Sequence, residues 1–107
     1  HIKIKLDYEW GNANFQKTTE NIIFRVIEET VTNSLRHGHA TKIWIKCTSN
    51  NSSYILSIHN NGKSETHIKP GYGITQMRER LTIINGTVEF DGKKGFTTVV
   101  KFPKVGV

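Results

Sequence analysis

"FRVIEETVTNSLRHGHAT", residues 24–41, is the stretch on which the reading of the chain turns. Val26, Ile27, Val31 and Leu35 recur every three or four residues, and Ile22 and Ile23 carry the stripe back one turn. That is the period of an amphipathic helix laid on a core. The spacing predicts a helix over 18–37, with Thr18 or Thr19 capping its start and Gly38 in the left-handed position after its end. The other face carries Arg25, Glu29 and Asn33 one turn apart, continued by Arg36 and His37. Residues four apart on a helix sit one above the other. Such a row is either a wetted surface with an Arg–Glu pair or a set of groups that share a ligand. An amide oxygen with a carboxylate one turn away suits a hard cation such as Mg2+, which keeps several waters and is often completed by substrate phosphates.

Outward from this helix the hydrophobic period switches to two. "HIKIKLDY" alternates Ile2, Ile4 and Leu6 with polar residues and reads as a half-buried strand. "TKIWIKCT" (41–48) sets Ile43, Ile45 and Cys47 against Lys42, Trp44 and Lys46. "SNNSS" (49–53) is turn chemistry, and "YILSIH" (54–59) returns as the second strand of a hairpin. "ITQMRERLTII" (74–84) reads as a second helix, stopped at Asn85-Gly86. "TVEFD" and "FTTVVKFP" flank "GKKG" as a closing hairpin. The order strand, helix, hairpin, loop, helix, hairpin implies an α/β two-layer sandwich: a mixed, largely antiparallel sheet of about five strands, with the helices on one face.

The chain has 107 residues and reads as a single domain over 1–107. Its mean hydropathy is −0.44. No apolar run approaches the ~20 residues of a bilayer span. The single cysteine, Cys47, excludes an internal disulfide and sits where a buried structural thiol is expected. A net charge of +6 suggests an anionic partner, but the basic residues are scattered and no aromatic stripe alternates with them. Neither a signal peptide nor a start methionine is present, so the chain is expected to be cut from a longer protein.

Two glycine stretches sharpen the question posed by the helix. "NNG" (60–62) follows an apolar strand where the backbone must turn, and "GYG" (71–73) directly precedes a helix. Glycines there let backbone N–H groups approach a ligand, and a helix N-terminus favours anions. The residues between, roughly 63–70, would form a short lid.

Taken in order, these pieces resemble the ATP-binding catalytic domain of sensor histidine kinases, within the wider family that includes gyrase and the heat-shock chaperone ATPases. The resemblance covers essentially the whole chain. It is closest to the DesK and ComP groups, which partner LuxR/NarL-type response regulators. Residues 24–41 look like that family's N box, "IHNNGKS" (58–64) like its first glycine box and "GYGITQMRERL" (71–81) like its second. "GFTTVVKFP" (95–103) resembles the closing Gly-Thr hairpin.

The resemblance implies a Bergerat ATP-binding fold that takes ATP and Mg2+. It implies Glu29 as the catalytic base or water-orienting residue and Asn33 as the metal ligand. Nucleotide contacts would come from Asn33, Arg36, His37, Asn60, Gly62, Lys63, Gly71, Tyr72, Gly73, Ile74 and Thr97, with Asn60 and Thr97 near the adenine and Ile68 packing near its ring. Two residues depart from the family pattern: Asn60 stands where the family has a carboxylate, and Ser64 where it has a glycine. A neutral amide accepts a weaker bond than a carboxylate, so weaker or less adenine-selective binding follows.

The implied function is donation of the γ-phosphoryl of ATP to a histidine on a separate dimerisation domain, for relay to a response regulator. None of the five histidines lies in an upstream acceptor helix. Dimerisation would belong to helices outside these residues, so this domain alone is expected to be monomeric. The domain is expected to be cytoplasmic, part of a membrane-anchored kinase, and to bind neither nucleic acid nor membrane itself. Two other readings stand beside this one: an anti-sigma-type serine kinase, and a nucleotide-free interaction or nucleic-acid-binding module on the same fold.

Overall fold

The computed structural model describes residues 1–63 and 74–105. The elements are β1 (Lys3–Tyr8), α1 (Lys17–Arg36), β2 (Lys42–Ser49), β3 (Ser53–Asn60), α2 (Ile74–Thr82), β4 (Thr87–Asp91) and β5 (Phe96–Pro103). The strands form one sheet in the order β1-β2-β3-β5-β4. Only β1 and β2 run parallel, joined by the α1 crossover; the other neighbours are antiparallel. This is the mixed, largely antiparallel sheet that the hydrophobic periods imply.

The core follows the alternation. Ile43 and Cys47 of β2, Leu56 and Ile58 of β3, and Val100 and Phe102 of β5 are buried on the helix side. Ile22, Ile23 and Val26 of α1 and Met77 and Leu81 of α2 close over them. The loop after β1 folds Trp10 under the sheet, where its Nε1 donates to the Thr48 carbonyl at 2.7 Å. Trp10 meets Phe15, Tyr54 and Phe102 edge-on, at centroid separations of 5.4, 5.7 and 5.9 Å. T-shaped contacts of this kind match ring edges to ring faces.

The ends of the helices correct the sequence reading in two places. α1 starts at Lys17 behind an extended Gln16 that makes no side-chain cap bond; Thr19 is instead buried against the sheet. The left-handed residue beyond α1 is His39 (φ 54°), not Gly38. Gly38 has another task, since its carbonyl accepts the Lys63 N–H at 2.8 Å. α2 ends at Thr82, and the turn after it closes at Asn85-Gly86, the expected stop. Asn85 is left-handed (φ 55°), its N–H donates to the Thr82 carbonyl, and the Gly86 N–H donates to the Leu81 carbonyl at 2.7 Å. This is the double closure of a Schellman motif.

A third correction concerns β1. Its residues do alternate, but the strand is exposed throughout: Ile4, Leu6 and Tyr8 keep 55%, 59% and 52% of their surface. They share the helix-side face with Ile43 and Cys47, their partners or near-partners on β2. β1 is one of the two edge strands, and the described helices leave its apolar face open.

Candidate nucleotide site

The polar face of α1 meets the end of β3 through one buried network. The Ser34 hydroxyl donates to the Thr30 carbonyl one turn earlier, at 2.8 Å. Its only proton is thereby committed, so it accepts from Asn60 Nδ2, also at 2.8 Å. The other end of the Asn60 amide, Oδ1, accepts the Gly62 N–H at 2.8 Å. The two contacts fix the orientation of the amide. Asn60 is fully buried, and one N–H and one lone pair remain for anything else.

The glycine stretch is tied to the same helix end. A Cβ at Gly62 would stand 2.4 Å from the Gly38 carbonyl oxygen, so only glycine lets these two segments touch. Lys63 N–H closes the contact onto that carbonyl. Asn61 acts as a clip: its Oδ1 accepts the Thr41 and Lys42 N–H groups, each at 3.0 Å, and its Nδ2 donates to Thr41 Oγ1. On the opposite side, the turn before β5 brings Gly95 (φ +71°) against β3, where an added Cβ would lie 2.1 Å from the Asn60 carbonyl oxygen. Asn60 is thus held by side chain and backbone alike.

Thr30, Asn33, Ile74, Met77, Phe90, Phe96 and Thr98 line a narrow cleft beside this network. Phe90 and Phe96 stack at 5.7 Å, giving it an aromatic wall. Among the described residues, the buried hydroxyls of Thr30 and Thr98 and the buried Glu29 Oε2 have no hydrogen-bond partner. Buried polar atoms are nearly always paired, so these three, two on the C-terminal half of α1 and one on β5, mark places where a polar ligand or ordered water completes the bonding.

Glu29 is positioned from two sides. Arg80 of α2 donates to its Oε1 at 2.7 Å, and Arg25 approaches the same oxygen at 3.6 Å. Both partners of the closer pair are about a quarter exposed, 27% and 23%, so this contact orients the carboxylate more than it stabilises the fold. Oε2 is left for other chemistry.

The structure brings Glu29, Asn33, Asn60, Gly62 and Ile74 to one side of the sheet. Arg36 is exposed at the last position of α1, and His37 follows it as a half-buried cap. Lys63 is exposed beside them. Gly71, Tyr72, Gly73, Ser64 and Ile68 lie outside the described residues. Thr97 requires a correction. It pairs across the ladder with His59, and the two side chains hydrogen-bond at 2.7 Å on the outer face of the sheet. Thr98 is the threonine in the cleft. The reason is the two-residue period of a strand: Phe96, Thr98, Val100 and Phe102 share the buried face. That alternation was present in the sequence and identifies Thr98. Arg80 and Ser34 carried no comparable signal, because each acts through a tertiary contact. Among the described residues no group of three or more His, Cys, Asp or Glu side chains could hold a metal by itself. The donor set near Asn33 fits a cation that shares its shell with phosphates.

The fold is an open mixed sheet with two helices packed on one face and a narrow cleft between them and the last hairpin. Residues 18–106 match the family model described as "Histidine kinase-, DNA gyrase B-, and HSP90-like ATPase", and the chain belongs to that family. It is 29% identical over 89 residues to the sensor protein VraS of Staphylococcus aureus, a match covering 80% of this chain and 26% of VraS. The chain thus spans about a quarter of the length of that relative. A blue-light activated histidine kinase of Erythrobacter litoralis superposes with a TM-score of 0.82 at 13% identity, over 98% of this chain and 38% of that one. The histidine kinase AdeS of Acinetobacter baumannii gives 0.80 at 18% identity, over 98% and 55%. Among the described residues no helix is long and apolar enough to cross a membrane.

Proposed function

We propose that this chain is the catalytic, ATP-binding domain of a sensor histidine kinase. It binds Mg-ATP and presents the γ-phosphoryl to a histidine on a separate dimerisation domain. The observation that carries this reading is the pair of buried hydroxyls, Thr30 and Thr98, unpaired among the described residues and lining one cleft beside the fixed amide of Asn60. Family membership supplies the ligand class for which these atoms wait.

In this reading the cleft beside Phe90, Phe96 and Ile74, about 10 Å³ as it stands, widens to take the adenine, and the second lone pair of Asn60 Oδ1 accepts from its amino group. Thr98 and Thr30 complete the polar contacts at the base, in the role first expected of Thr97. Asn33 would hold Mg2+, which would supply charge to offset the phosphates. Arg36, His37 and Lys63 add positive charge at the same end of the cleft. The backbone of Gly71, Tyr72 and Gly73, with the N-terminus of α2, receives phosphate oxygens. Glu29, turned by Arg80, offers Oε2 to an ordered water or to a proton at the reacting end. In transfer, the bond between the bridging oxygen and the γ-phosphorus breaks as the histidine nitrogen bonds to that phosphorus, and ADP leaves. Positioning and charge account for most of such a step, which is why a small domain suffices. The parent is read as a membrane-anchored kinase of the DesK/ComP type, with a LuxR/NarL-type regulator as the next acceptor and this domain on the cytoplasmic side.

The test is calorimetric titration with ATP, with and without Mg2+, repeated on Asn33→Ala. Binding that requires Mg2+ and is lost in the variant is the expected result. Absence of binding at millimolar ATP, or binding indifferent to both Mg2+ and Asn33, would refute the reading.

A further inference from the structure

β1 is an edge strand whose second side pairs with no strand among the described residues. Odd residues spend their backbone groups on β2: Lys3 N–H donates to the Thr41 carbonyl at 2.9 Å, and Glu9 N–H to the Cys47 carbonyl at 2.8 Å. Because the groups alternate along a strand, Ile4, Leu6 and Tyr8 direct their N–H and C=O to the open side. The same residues are more than half exposed, and a depression of about 510 Å³ runs beside Lys3, Ile4, Lys5 and Trp44. An exposed edge of this kind is a template for another strand.

The sequence specifies which strand. "KIKLDYE", residues 3–9, places Lys3 and Lys5 in its first half and Asp7 and Glu9 in its second, all on the outer face, with Ile4, Leu6 and Tyr8 between them on the inner face. Turned antiparallel, the stretch is complementary to itself. With Leu6 on the two-fold axis, Lys5 faces Asp7 of the second copy, Lys3 faces Glu9, and Ile4 faces Tyr8. Shifting the axis to Ile4 sets Lys3 against Lys5. Shifting it to Lys5 or to Asp7 sets that residue against its own copy. A shift that pairs even with odd positions would put apolar side chains on the wrong face. Only the Leu6-centred register avoids every like-charge pair and lets the even residues exchange their free hydrogen bonds.

We propose that β1 pairs antiparallel with β1 of a second copy of this chain, with Leu6 on the two-fold axis, making one continuous sheet across two domains. The proposal uses no residue of the nucleotide cleft and stands or falls apart from it.

Sedimentation of the 107-residue chain over a concentration series should show a monomer–dimer equilibrium. Lys5→Asp should raise the dimer Kd about tenfold, since it converts two attractive cross-strand pairs into repulsive ones. Adding Asp7→Lys to that variant should restore the parent affinity. Leu6→Cys should form a disulfide-linked dimer on oxidation, because residues opposite on the axis lie within disulfide reach, whereas Ile4→Cys, facing Tyr8, should not. The native Cys47 is buried and leaves the engineered thiol as the accessible one. Circular dichroism of each variant establishes that it is folded. A monomer at every concentration, an unchanged Kd in Lys5→Asp, failure of the charge exchange to restore pairing, or cross-linking through Ile4→Cys in preference to Leu6→Cys would overturn the proposal.

Discussion

Two faces of the same strand pair carry different chemistry one residue apart. On the helix side of β3 and β5 lie Asn60 and Thr98, both buried and turned to the cleft or its supporting network. On the outer side lie His59 and Thr97, hydrogen-bonded to each other, with His59 tilted against Trp44 at 5.4 Å. The residue types are nearly matched, a polar side chain and a threonine on each face. What separates them is surroundings: the inner pair is enclosed, with the Thr98 hydroxyl unpaired among the described residues, and the outer pair satisfies itself beside solvent. Position within the two-residue period, more than chemical identity, assigns the role.

The contrast can be broken at several points. The largest effect is expected where both faces are anchored, at Gly95. Gly95→Ala places a methyl against the Asn60 carbonyl at a positive φ, and should cost about 3 kcal/mol in chemical denaturation through overpacking and backbone strain. An unchanged midpoint would show that the turn is not held as described. Next comes the asparagine–histidine comparison. Asn60→Ala strips partners from Ser34 and Gly62, with a loss of about 1–3 kcal/mol in stability and of ATP binding as well. His59→Ala, on the other face, should cost about 1 kcal/mol and leave binding intact. Equal effects on nucleotide affinity would erase the distinction.

The threonines sharpen it further, because the substitution is the same. Thr98→Val should weaken ATP about three- to tenfold, the worth of one neutral hydrogen bond, while Thr97→Val should not alter affinity in the same titration. The smallest effect tests the inner face on β2. Burial pushes the Cys47 thiol above its usual range, so the folded chain keeps its proton where the unfolded chain has lost it. Its contribution to stability is therefore complete below the ordinary thiol range and declines as pH rises through it. Native Cys47 should alkylate far more slowly than the unfolded thiol, and the alkaline decline in denaturation midpoint should be shallower in Cys47→Ala.

Most of the fold could be read from periodicity. The three-to-four spacing of α1, the alternation of β2 and β5, and the Asn85-Gly86 stop all have local causes, and all are found where those causes put them. The exposure of β1 departs from its alternation for a physical reason: alternation shows that a strand has an apolar face, and cannot show whether anything covers it. The site was legible in part. Asn60 and Gly62 follow from the strand-to-glycine transition. Arg80 became visible only when α2 was packed on α1, since its partner lies 51 positions away in the chain. The inward position of Thr98 was legible through its neighbours Phe96 and Val100, which set the buried face of β5.

The contact between Gly95 and Asn60 also makes the last hairpin a handle on the cleft. Lys93 and Lys94 at its tip are exposed, and Lys93 N–H is held by Asp91 Oδ1 at 2.9 Å. A fluorophore carried on Lys94 would sit next to the residue that presses on the Asn60 backbone. It would report on occupancy of the cleft from outside it, whereas an insertion one position later would dismantle what it was meant to observe.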